Sequence, residues 1–378
     1  MPVVSNHTKG AKTEAQRSSY NAGATEPVED SGSRFRPQQV TWEMTRACAW
    51  NATPARLARR LAQEQDKREF STAEAFHLIE QIMDLRVPLL ALTGGDPLLR
   101  PDLLPIVEFA AQHSVRTSLT LLPTPLLKAE VLDDLKRCGL MRAGFWLQGS
   151  TAALHDAAVG VAGSFRRTTQ AVGWCHEIEL PVQINTMMTR KNFHDVDLMI
   201  EFLTRLDADL WNVFFLVPSS PEQQQELLSA EQHEDIFARL YAASTRVHFQ
   251  IKTTEGQQYQ RYLIEHRVRE SHGRMSLAEG MAYAKRGVNE GDGFVFVNHH
   301  GEVYPSRFLP LAAGNVTAQP LAEVYRDSTL FASLRDHSRL KGKCGRCPLR
   351  SACGGSRARA YAMTGDLFAE DPRCAYQP

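Results

Sequence analysis

The sequence predicts an α/β protein with a mainly parallel sheet, followed by a small cysteine-rich region, and three observations lead there. Short β-rich runs alternate with helical stretches six times from Gln39 onward. Glycine and polar residues punctuate the carboxyl ends of the runs, where ligands of parallel α/β sheets collect. Four of the seven cysteines crowd the last tenth of the 378 residues.

The β-rich runs are Gln39–Thr45, Leu89–Thr93, Arg116–Leu122, Ala143–Gln148, Pro181–Met187 and Trp211–Val217. Between them Thr72–Leu85, Leu103–Gln112, Lys128–Arg137, Ser164–His176 and His194–Leu206 carry apolar residues near helical spacing. Strand, helix and parallel strand make a right-handed crossover unit. Six such units fall short of a closed eight-unit barrel, so the alternation alone leaves an open barrel-like sheet and a doubly wound sheet both in play. After Pro218 the alternation stops. A polar stretch over Ser219–Glu226 leads into helical segments around Glu231–Ser244, and a hairpin-like pair, Gly293–Asn298 and Glu302–Pro305, turns at His299, His300 and Gly301. The expected organisation is a tail over 1–37, a core over 38–218, a helical connector over 219–290 and a terminal domain over 291–378.

Residues 1–37 hold almost no large apolar side chain, so that tail is expected to be disordered. It lacks the apolar stretch of a secretory leader, and no later run has the length to span a bilayer, so the expected location is cytoplasmic, away from membranes. Lys+Arg 43 against Asp+Glu 43 leaves no global basic field to attract nucleic acid. The expected partners are a peptide or small-molecule substrate, or a partner protein.

Chemistry concentrates in three places. The first run leads to Cys48, with Ala52 and Ala55 downstream. The second run ends in Thr93-Gly94-Gly95-Asp96-Pro97, where glycines admit a ligand close to the backbone and Asp96 can face an amine. The chain closes with Cys344, Cys347 and Cys353, spaced Cys-x2-Cys-x5-Cys, then Gly354-Gly355 and a distant Cys374. Four thiolates so grouped in a reducing compartment read as a metal site before disulfides, and their spacing admits zinc and iron-sulfur alike. Elsewhere, His299 and His300 are expected to be solvated, Cys138 and Cys175 to be core, and the Arg56–Arg60 run, Arg357 and Arg359 to lie on solvated surface.

These motifs, in this order, resemble the radical S-adenosylmethionine (SAM) superfamily. The Trp42–Arg56 segment resembles the loop on which three cysteines of a Cys-x3-Cys-x2-Cys motif hold a 4Fe-4S cluster, with Cys48 as the remnant and Ala52 and Ala55 at the other two places. Gly94, Gly95, Asp96 and Pro97 resemble the Gly-Gly-Glu-Pro element that holds the methionyl amine of SAM, and Asn185 matches a ribose contact. Where the family's branch of tetrapyrrole and ribosomal-peptide maturases has Ser-Leu-Asp-Gly, this chain has Trp146-Leu147-Gln148-Gly149. The C-terminal segment resembles a SPASM or shortened twitch domain, which implies one auxiliary 4Fe-4S cluster on Cys344, Cys347, Cys353 and Cys374, with zinc the alternative.

The resemblance thus implies a (βα)6 partial TIM-type barrel followed by a small SPASM/twitch-like domain. It implies a maturase of the peptide or tetrapyrrole type that is impaired in SAM cleavage, because alanine methyls offer iron no lone pair. Two alternatives stand beside it: a non-catalytic scaffold, partner-binding or electron-transfer protein, and a deliberately inactivated variant of an active enzyme.

Overall fold

A computed structural model of the chain describes residues 36–48, 66–283 and 289–378. The expected tail up to residue 35, together with Ala52, Ala55 and the Arg56–Arg60 run, lies outside the described residues. Seven parallel strands form the core sheet in sequence order: β1 Gln39–Glu43, β2 Leu90–Thr93, β3 Thr117–Leu121, β4 Arg142–Trp146, β5 Val182–Met188, β6 Leu210–Phe215 and β7 Gln250–Thr254. Gln39 on β1 touches Lys252 on β7 at 3.2 Å although six strand spacings separate them in the sheet. A flat sheet would hold those strands roughly 29 Å apart. The sheet is therefore rolled into a partial barrel.

The crossover helices follow the expected periodicity. Thr72–Asp84 starts with a capping box between Ser71 and Glu74, and its buried residues are Ala75, Leu78, Ile79 and Ile82, one stripe of an amphipathic helix. Strand alternation does the rest. Ala143 and Phe145, Val182 and Ile184, and Trp211, Val213 and Phe215 join those stripes in a single apolar core. The intervening residues Gly144 and Trp146, Gln183 and Asn185, and Asn212 and Phe214 project from the opposite face.

Two features depart from the expected element list. Strand β7 runs through the stretch expected to be a helical connector; its Gln-Ile-Lys-Thr-Thr sequence has one large apolar residue, so no hydrophobic run announces it. The C-terminal hairpin, β9 Gly293–Val297 and β10 Glu302–Tyr304, continues the core sheet, because β9 pairs in parallel with β1 and β10 pairs antiparallel with β9. Two-residue strands, β8 Asn289–Glu290 and β11 Gly314–Asn315, complete the sheet. Among the described residues no helix is long and apolar enough to cross a membrane.

Candidate functional site

The carboxyl end of β1 and the turn after β2 are laced together by backbone. Gly95 N donates to Thr45 O at 2.8 Å and Asp96 N to Ala47 O at 2.7 Å. Gly94 has φ +154°, and a Cβ there would stand 2.5 Å from Thr45 O; one on Gly95 would stand 2.0 Å from Ala47 O. Both glycines are thus required by the β1 loop itself. Asp96 is fully buried, and both its oxygens accept from the protein: one from Thr124 Oγ1 at 2.8 Å, the other from Leu98 N at 3.2 Å, as the cap of the 3-10 turn that Pro97 opens. Burial raises its pKa against these two donors. Cys48 is buried at the end of the same loop.

Asn185 lies on β5 directly opposite Trp146 on β4, three strands away from β2 and its Gly94–Pro97 turn. Its Oδ1 accepts from Gln183 Nε2 at 2.7 Å. Gln148 Oε1 accepts from Met187 N at 2.9 Å, so this side chain ties the end of β4 to β5. Trp146 packs on Phe214 with ring centroids 4.9 Å apart, and Phe214 meets Phe308 at 6.4 Å. The Arg307 guanidinium lies over both Phe308 and Phe296. An aromatic wall with a cationic end therefore runs from β4 to the C-terminal hairpin.

The histidine turn corrects the sequence expectation. His299 is 2% exposed, and its Nδ1 lies 2.9 Å from Glu43 Oε1. Burial would raise the Glu43 pKa, but that hydrogen bond and the Arg307 and Arg46 guanidiniums outweigh it and hold the carboxyl at about 2. His300 is partly exposed, and its Nε2 lies 3.0 Å from Asp66 Oδ2. The sequence hid this cluster because its members are distant in the chain; a carboxylate at the carboxyl end of the first barrel strand, Glu43, was the one available signal.

Arg357 and Arg359, expected on the surface, are buried. Arg357 donates to Leu367 O and Ala369 O, and Arg359 pairs with Asp371 at 2.7 Å with neither side chain exposed. A polar surface reading of an Arg-rich helix start fails here because Asp371 comes from beyond the helix to meet it. Cys175 is buried, as expected for a core thiol, whereas Cys138 is half-buried at a helix end.

All four C-terminal cysteines line one small cavity of about 20 Å³, with Arg261, Lys343 and Arg350 on its walls. Gly354 and Gly355 both have φ +66°, which lets the chain fold back beneath Cys344; a Cβ on Gly355 would meet the Cys344 sulfur at 3.4 Å. Asp371 N donates to Cys344 Sγ at 3.4 Å, and Asp371 is in turn gripped by Arg359, Ser356 N and Gln258. Burial pushes the thiols of Cys347 and Cys353 up and that of Cys374 up to about 11. Such thiols stay protonated until a metal displaces their protons. None of the seven cysteines forms a disulfide.

Comparison with known proteins fits this geometry. The family described as "Radical SAM superfamily" matches residues 45–203. The AdoMet-dependent heme synthase of Methanosarcina barkeri is 33% identical over 342 residues, covering 90% of this chain and 97% of that protein. The PqqA peptide cyclase of Rhodopseudomonas palustris is 26% identical over 351 residues, covering 90% and 88%. Among solved structures, SuiB of Streptococcus suis bound to S-adenosylmethionine superposes with a TM-score of 0.69 at 15% identity, over 90% of this chain and 78% of that one, which supports the fold. The chain belongs to the radical SAM superfamily.

Proposed function

We propose that this protein is an iron-sulfur member of the maturase branch whose working metal centre is a SPASM/twitch-type auxiliary 4Fe-4S cluster on Cys344, Cys347, Cys353 and Cys374, and that it does not cleave SAM. The observation that carries the reading is the contrast in ligand supply. Four thiols line one cation-walled cavity near the C-terminus, whereas the β1 loop offers Cys48 with alanine at 52 and 55. When bound, an auxiliary cluster supplies a one-electron relay; the chain's residues supply its thiolates, the Asp371 amide and the surrounding positive charge.

The donor set also bears on zinc. Four thiolates around one zinc stand about 3.8 Å apart, from a zinc–sulfur distance near 2.3 Å. Among the described residues, three ligand atoms gather within 4.8 Å of one another at Asp66, His299 and His300, not at the cysteines. Both metals accept four thiolates, and it is the segment's resemblance to a SPASM or twitch domain that favours a 4Fe-4S cluster over zinc.

For the substrate, the tetrapyrrole side of the branch is favoured over the peptide side. The heme synthase relative has the higher identity, and the Trp146–Phe214–Phe308 wall with Arg307 at its end suits a flat, anionic aromatic ring system. Gly94, Gly95, Asp96, Pro97 and Asn185 would retain at most a weak SAM site, since Asp96 is already committed to Thr124 and Leu98. Four cysteines grouped to hold a metal suit the reducing cytoplasm.

Anaerobic reconstitution with iron and sulfide quantification tests this directly. The expected result is about four irons per chain and no 5′-deoxyadenosine on adding SAM and dithionite. About eight irons, or 5′-deoxyadenosine above a no-protein control, would overturn it. Stoichiometric zinc without visible absorption would establish the structural-metal alternative instead.

A further inference from the structure

Neither the four-cysteine cavity nor the Gly94–Pro97 turn uses Glu43, Asp66, His299 or His300, although Glu43 closes β1 opposite Thr93, beside that turn. One ligand atom from each of Asp66, His299 and His300 lies within 4.8 Å of those of the other two. The His300 Nε2 to Asp66 Oδ2 separation is 3.0 Å. Nitrogen and oxygen ligands at about 2.0–2.2 Å from one ion, subtending 90° to 109°, stand roughly 2.9–3.4 Å apart. The gap between these two atoms thus matches an edge of a coordination polyhedron.

His299 completes the set. Its Nδ1 lies 2.9 Å from Glu43 Oε1, so Nε2 is the ring nitrogen left to face an ion. A metal-ligating histidine commonly passes its other ring N–H to a carboxylate in this way. The turn that presents both histidines is held by Gly301 at φ +82°, where a Cβ would strike Asn315 and Phe70. Their rings stand 3.8 Å apart. Arg68 also binds Asp66, but its side chain is 75% exposed, so little is lost when it swings away. Asp66 and His300 are partly exposed, which gives an ion a way in.

We propose that Asp66, His299 and His300 form a mononuclear site for a divalent first-row transition-metal ion, a two-histidine, one-carboxylate set braced by Glu43. Three protein ligands leave coordination positions for water or an oxygen of a bound ligand. The site stands at the carboxyl end of β1, on the segment that continues to Cys48.

Cobalt(II) is the probe, titrated anaerobically into the full chain after cluster reconstitution. The expected result is one bound ion per chain with visible ligand-field bands and no thiolate-to-cobalt charge-transfer band. Asp66→Asn and His300→Gln should each remove those bands with far-ultraviolet circular dichroism unchanged, and Glu43→Gln should weaken binding about 10- to 100-fold. Added zinc should displace the cobalt. Cobalt found only with the charge-transfer band, or bands unaltered in both ligand variants, overturns the proposal. A charge-transfer band beside ligand-field bands that Asp66→Asn and His300→Gln still diminish would show cobalt on the C-terminal thiols as well, a failure of the cluster reading that leaves this site established.

Discussion

The loop after β1 and the region around Cys344 both carry cysteine, and they have been left in different states. After β1 the protein fills its own space: carbonyls of Thr45 and Ala47 occupy the room beside Gly94 and Gly95, and Asp96 is spent on Thr124 and Leu98. Around Cys344 the chain keeps a cavity, lines it with four thiols and cations, and braces it with a fully buried Arg359–Asp371 pair. As far as Cys48, the described part of the first loop is held by backbone bonds that need no metal. The second region's buried thiols gain most when an ion takes their protons.

The largest expected effect comes from removing one thiol. Cys353→Ser should take iron from about four per chain to near zero, read by iron assay and visible absorption, because this buried sulfur has no substitute within the cavity. Retained iron would mean the cavity is not the metal centre. The converse change, Ala52→Cys with Ala55→Cys, should add about four irons if the β1 loop has lost only its ligands. Iron gained without 5′-deoxyadenosine would move suspicion to Asp96, Trp146 and Gln148.

The brace can be broken without touching a sulfur. Asp371→Asn strands Arg359 in a site with no solvent access, and loss of one partner of a buried ion pair costs about 3–5 kcal/mol. Urea denaturation of the cluster-free protein reads that cost; a change below about 1 kcal/mol would show the pair is not what holds the cavity.

A smaller effect belongs to the barrel. Burial holds His155 and His233 at about 4 instead of 6.5. His155 Nδ1 accepts from Gln148 N, so protonation breaks that bond. Above pH 6.5 both histidines are neutral folded or unfolded, and their contribution is complete. Between 6.5 and about 4 the unfolded chain takes up protons that the folded chain refuses, so stability falls as pH falls, by up to about 1.4 kcal/mol per pH unit for each histidine. Glu43, held at about 2 instead of 4.5, extends the loss to lower pH with the same sign. Denaturation midpoints across this range check the slope, and His155→Asn should flatten it.

Much of the barrel was legible because parallel strands and their crossover helices announce themselves by apolar runs and helical spacing. Thr72–Asp84 with its Ser71 cap is the clearest instance. Strand β7 was not legible, since Gln250, Lys252 and Thr254 alternate polar residues across a half-exposed edge. Cys344, Cys347, Cys353 and Cys374 could be grouped from spacing. The Glu43–His299 pair could not: 256 positions separate its members, and only the parallel pairing of β9 with β1 brings them together. Asp371 stands only 12 positions from Arg359, yet the surface reading of Arg359 missed it, because a charge's burial depends on a partner that helical and strand periodicity do not show.

That pairing of β9 with β1 has a consequence for how the chain is made. Strand β1 has β2 on one side and β9 on the other, yet β9 begins at Gly293, about 250 positions after β1 ends. During synthesis at roughly 5–20 residues per second, the row of unpaired N–H and C=O groups on that side of β1 stays bare for something like 10 to 50 seconds. A bare edge beside Val40 and Trp42 is a template for pairing with another nascent chain. Ribosome-bound lengths that stop short of β9 should therefore depend on holdase chaperones, and lengths that include the β9–β10 hairpin should be released from that dependence.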